Sequence, residues 1–149
     1  VNPKTFHRNI IPATAIAAAG TLTSNAQAST SGRGVRFYVT VAAGATAGGG
    51  TDTIFLCAVP PAFVQGVTPL PPPSTNAIPL VGLAAANAFS VAGTYVADFY
   101  PGAWLPSTLA AGGALLGAVG VEVPIAWAVR IVLGAGNSAT VTVDGEMLP

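Results

Sequence analysis

The run PIAWAVRIVL is followed by GAGNS and then by ATVTVDGEML. In the first run Ile125, Trp127, Val129, Ile131 and Leu133 share one parity, and Ala126, Ala128, Arg130 and Val132 share the other. In the second, Val141, Val143 and Met147 alternate with Thr140, Thr142, Asp144 and Glu146. A period of two sends successive side chains to opposite faces of an extended chain, which a helix cannot do. The two runs and their Gly/Asn connection predict a β-hairpin.

The same alternation recurs upstream. In VRFYVTV, Val35, Phe37, Val39 and Val41 alternate with Arg36, Tyr38 and Thr40. In GTYVADFY, Tyr95, Ala97 and Phe99 face one way, and Thr94, Val96, Asp98 and Tyr100 the other. TIFLCAV reads as a more buried strand, joined to the first through GATAGGGTD as a hairpin loop. AWLPSTLAAGGALLGAVG is ambiguous between a loop and a short helix, and Gly112, Gly113, Gly117 and Gly120 weigh against the helix. The predicted fold class is all-β, a β-sandwich or jelly roll over residues 33–149, and spacing does not choose between the two. The 149 residues suit one domain, able to bury roughly 68–70% of its unfolded surface.

Two segments stand apart. HRNIIPATAIAAAGTLTSNAQA (His7 to Ala28) has the outline of a secretory leader: a basic start, an apolar stretch and a closing Ala-Gln-Ala. Pro12, Thr14 and the small Ala13 and Ala15 dilute its apolar content, so residues 1–32 are predicted instead as an extended arm with one strand at Ala17–Gln27. Phe6, Ile10, Ile11, Ile16 and Leu22 are its candidate anchors. Each could fill a pocket on a neighbouring subunit, worth about 1.5–3 kcal/mol apiece. The second segment, residues 60–79, reads PPAFVQGVTPLPPPSTNAIP. Its prolines lack amide donors and bar a central strand, so it is predicted as a long loop, polyproline-like near Leu70–Pro73. Such loops are surface crossovers or interfaces. Leu70 and Pro72, with Trp104 after YPGA, are further candidate interface residues.

Charge narrows the function classes. Only 7% of the residues are charged and 52% are apolar, with zero formal net charge, against a typical charged share of ~25%. A solitary monomer with so little repulsion would associate. A membrane span is not predicted, because the longest charge-free apolar region with small residues, Leu105–Val121, is short of about 20 residues and rich in glycine. Nor is nucleic acid a predicted partner. Lys4 with Arg8 and Arg33 with Arg36 form two loose pairs, Arg130 stands alone, and phosphate binding needs clusters. An assembly that covers apolar surface remains.

No catalytic set is legible, and the chain is expected not to be an enzyme and to need no cofactor. There is one histidine, His7, no Cys-x-x-Cys pair, no Gly-x-Ser-x-Gly elbow and no phosphate loop. Asp144 and Glu146 share a strand face roughly 7 Å apart, within the range of a glycosidase pair. A polar outer face explains them more simply. Asp98 and Arg130 are expected as a cross-strand pair. Cys57, between Leu56 and Ala58, is expected to be buried and inert. Among the aromatics that could form a sugar platform (Tyr38, Tyr95, Tyr100, Trp104, Trp127), Trp127 and Tyr95 fall on core parity.

RGVRFYVTV, GTYVADFYPG and PIAWAVRIVLGAGNSATVTVDGEML, within Arg33–Val41, Gly93–Gly102 and Pro124–Leu148, resemble the small virion proteins of tailed bacteriophages. The likeness lies in short alternating strands, Gly/Ala/Thr-rich loops, few charges and a long N-terminal arm. Within that group the chain resembles head decoration (cement) proteins. The resemblance implies a β-rich subunit, commonly a homotrimer, on the capsid surface of a virion assembled in the host cytoplasm. It would bind the major capsid protein and tie capsomers together with extended arms. A head-fibre, tail or head–tail joining subunit is the nearby alternative. A carbohydrate-binding β-sandwich is the distant one, and it requires exposed coplanar aromatics.

Overall fold

A computed structural model describes residues 6–28, 32–60, 77–100, 114–117 and 122–149. Ten strands are described: β1 (Phe6–Ile16), β2 (Thr21–Thr23), β3 (Gln27–Ala28), β4 (Gly34–Val41), β5 (Thr51–Ala58), β6 (Ile78–Ala86), β7 (Gly93–Phe99), β8 (Ala114–Gly117), β9 (Ala126–Val132) and β10 (Ala139–Leu148). The fold is all-β, in two antiparallel sheets. The four-stranded sheet A has the order β1-β10-β4-β7. Sheet B has the order β2-β9-β5-β6-β8, with β3 also pairing to β9. β8 pairs with β6, so part of the stretch that was ambiguous between loop and helix is a strand.

The inward parities of both sheets make one core. Val35, Phe37, Val39, Val141, Val143 and Met147 come from sheet A, and Ile54, Leu56, Trp127, Val129 and Ile131 from sheet B. The Trp127 indole lies over Gly145, where an added Cβ would stand 3.5 Å from it, and beside Phe37 at 5.7 Å between ring centroids.

Both expected hairpins are corrected. β9 pairs with β2, β3 and β5, while β10 pairs with β1 and β4. GAGNS therefore carries the chain from one sheet to the other. So does the loop between β4 and β5. Packed sheets stand roughly 10 Å apart, a gap these loops can span and a two-residue turn cannot.

The segment expected as an arm is corrected as well. From Phe6 onward it runs in the sheets: β1 along β10, and β2 and β3 along β9. The strand predicted at Ala17–Gln27 is broken into β2 and β3 after a turn with Ala19 at φ 58°. Ser24 repairs the gap. Its hydroxyl accepts from the Val129 amide at 3.0 Å, in place of a ladder carbonyl. β1 is irregular too. Register shifts follow His7 and Ile11, and Asn9 has φ 50°. The shifts turn both Ile10 and Ile11 inward, where strict alternation would expose one of them.

Candidate functional site

The two sheets present unlike outer faces. Outward residues of sheet A line up in rows through the register. Phe6, Glu146, Arg36 and Asp98 form one row, and Asp144, Tyr38 and Val96 the next. Arg36 donates to both oxygens of Asp98, at 2.7 and 2.9 Å, and Tyr38 donates to Glu146 Oε2 at 2.9 Å. Asp98, with Tyr38 behind it, holds the Arg36 guanidinium charged well above its ordinary range. Arg8 sits over the Phe6 ring at 5.9 Å. Arg8, Arg36, Asp98, Asp144 and Glu146 are half of the chain's ten charged residues, and all lie on this face.

The outer face of sheet B is apolar. Cys57 and Val59 from β5 and its end, Ala126 and Ala128 from β9, and Ala26 and Ala77 form a second buried cluster, with Phe55 packed against it. Burial pushes the Cys57 thiol up to about 11, so it is uncharged at neutral pH. Arg130 is a charged residue on the outward parity of β9. It donates to Thr23 Oγ1 at 2.9 Å and to the Ala77 carbonyl at 3.2 Å. The expected Asp98–Arg130 pair is thereby corrected: the two residues sit in different sheets.

At one end of this apolar face lies a groove of about 420 Å³ lined by Ala58, Val59, Pro60, Ile78, Pro124, Ile125 and Ala126. Ile78 is 55% exposed and Ile125 is 81% exposed. Ile125 was expected in the core with Trp127. It instead lies on a bend after Pro124, one residue before β9 begins, and points to solvent. This groove is the candidate interaction surface, and reading parity alone hid it.

Of the residues predicted as anchors, Ile10, Ile11 and Ile16 are buried in this chain's own core, and Leu22 packs against that core. None of these three isoleucines is free to fill a neighbour's pocket. Phe6 is 48% exposed, on the rim of the polar face. Leu70, Pro72 and Trp104 lie outside the described residues.

The candidate carboxylate pair has structural partners. Glu146 holds Tyr38, and Asp144 Oδ1 accepts from the Asn9 amide at 2.7 Å, capping the β1 irregularity. Among the described residues no cluster of three His, Cys, Asp or Glu side chains could hold a metal ion, and no helix is long and apolar enough to cross a membrane.

A polar device that the sequence did not reveal locks the opposite loops. Asp52 is fully buried on the inward parity of β5. It accepts from the amides of Phe89 and Gly134, at 3.0 and 2.9 Å, and from Asn137 Nδ2 at 2.7 Å. Asn137 in turn donates to the Gly50 carbonyl and accepts from the Gly48 amide. Three loops thus meet on two side chains. The only advance signal was an acid on a core parity.

No family model, no curated protein and no solved structure matches this chain.

Proposed function

We propose that this chain is a structural subunit of a virion, a decoration protein that binds the outer surface of a bacteriophage head as a homotrimer. The observation that carries the reading is the polarity difference between the two outer faces. One holds half of the charged residues, and the other ends in an apolar groove with Ile78 and Ile125 exposed. A groove of that size accepts a few aliphatic side chains from a flat protein surface, and a neutral chain meets no charge barrier on approach. Attachment to the major capsid protein is assigned to this end of sheet B, in place of the isoleucines of β1.

Strand pairing supports reading the sandwich as a jelly roll. β2 and β3 count as one interrupted strand, and β8 as an addition. The eight strands then pair first with last (β1·β10), second with seventh (β2/β3·β9), third with sixth (β4·β7) and fourth with fifth (β5·β6). Rolling that ribbon sets β10 beside β4 and β9 beside β5. Jelly rolls recur in viral capsid proteins and in lectins.

The test is sedimentation of the full chain with and without empty heads of its phage, for wild type and Ile125→Asp. The wild type is expected to sediment as a trimer and to travel with the heads. The variant should keep its melting temperature and lose head binding at least tenfold. A wild type that stays single and ignores the heads overturns the proposal. Phe6 and Tyr38, 6.3 Å apart on the polar face, are tilted by 47° and do not form the coplanar platform that the carbohydrate-binding alternative requires.

A further inference from the structure

His7 is the chain's one histidine, and its ring is partly buried with Nε2 enclosed. It stands opposite Gly145 in the β1·β10 ladder, on the inward side, at the seam where β1 of sheet A meets β3 and β9 of sheet B. Its ring packs on Trp127 edge to face, with centroids 5.4 Å apart. The Gln27 side chain lies beside it and favours the charged form, a smaller effect than that of burial. Gln27 Nε2 also donates to the Asn25 carbonyl at 3.3 Å. His7 Nε2 is buried without a partner. The other unpartnered buried ring nitrogen there is Trp127 Nε1, which can only donate.

An imidazolium donates from both ring nitrogens, so protonation of His7 would leave a charged donor at Nε2 with no acceptor. Among the described residues nothing ionisable faces it to offset that charge. On β10, Asp144 and Glu146 flank Gly145 but project to the opposite face, where they hold Asn9 and Tyr38. Arg8 on β1 lies on that outer face too, over Phe6. β3 brings Gln27, β9 brings Trp127, and β4 brings Phe37. Burial accordingly holds the imidazole below its ordinary range.

We propose that His7 is an acid-sensitive latch: protonation expels its ring from Trp127 and frees residues 6–9 from β10 and the seam, while β1 from Ile10 onward stays in place. The hinge is already built. Register breaks after His7, Asn9 has a left-handed φ, and the Asn9 amide is held by the Asp144 side chain. Beyond it, Ile10 and Ile11 anchor the rest of the strand in the core. The latch is independent of the virion reading.

The test is a pH titration of the full-length wild type by NMR from pH 8 to 4.5. It follows the His7 ring, the Trp127 indole N–H, and amide exchange corrected for its intrinsic pH dependence. His7 is expected to titrate below 6.5. The Trp127 indole signal should move in step, and protection of residues 6–9 should fall at least tenfold while Ile10–Ile16 stays protected. His7→Phe and His7→Gln should both lose the step. The latch is refuted by titration at the ordinary value with an unmoved indole. It is equally refuted by low titration with residues 6–9 still protected, or by a step that persists in both variants.

Discussion

A fully buried carboxylate depends on the donors aimed at it, and Asp52 has three. Asp52→Asn keeps the shape but turns an NH₂ toward at least one of those donors. The expected cost is about 1–3 kcal/mol, because a buried polar group is left unmatched. A lower urea midpoint with an unchanged slope would register it. Residue identity in the interior was mostly legible. Val35, Phe37, Val39, Trp127, Val129, Val141 and Val143 sit inward as their parity required, and Cys57 is buried. Two kinds of residue were not legible. Asp52 and Asn137 act across loops brought together by topology, which no local window contains. Ile125 shares the parity of Trp127, but parity applies only inside a strand, and the bend after Pro124 removes it from one.

At the scale of strands, existence was easier to read than partnership. β4, β7, β9 and β10 announce themselves by alternation, and β5 by a continuous apolar run. β6 did not, since Pro79, Gly82 and a run of alanines blur its Val81, Leu83, Ala85 face. Partners were misread because a Gly-rich connection serves a turn or a crossing equally well. The difference lies in how closely the two crossing loops approach. A Cβ on Gly48 would collide with the backbone of Gly136, and one on Gly134 with that of Gly50. Gly48→Ala is expected to pry these loops apart and destabilise the protein by about 2 kcal/mol, as other overpacked sites do. A lower thermal midpoint, with faster amide exchange at residues 134–138 than in β5, would show it. The β1 irregularity was illegible for a similar reason. Consecutive Ile10 and Ile11 look like a weak apolar run until a partner strand is there to slip against.

For the whole molecule, pH is the informative variable. The unfolded chain takes a proton on His7 near the ordinary 6.5, and the folded chain resists it. Between those two values the unfolded state holds more protons, so unfolding becomes easier as acid is added. Stability should be level above 6.5, fall as pH drops through it, and stop falling on this account below the folded value. Urea midpoints at pH 7.5, 6.5 and 5.5 measure this, and the difference from His7→Phe isolates the imidazole from the carboxylates. The sandwich, its all-β class and its sparse charge were visible in the sequence. The sidedness of that charge was not, because it appears only when β1, β4, β7 and β10 are laid edge to edge.

The pairing of β1 with β10 also governs when the chain can fold. β10 lies between β1 and β4, and β9 lies between β5 and the short β2 and β3. On the ribosome β1, β2 and β3 emerge with their docking partners still unmade, so their ladders form only after β9 and β10 have followed. Search over such distant pairings is slow, on the order of milliseconds to seconds for β-rich domains. Throughout that interval the greasy inner surfaces of the early strands stand open, and a chaperone or rapid dilution would guard the nascent protein better than any substitution.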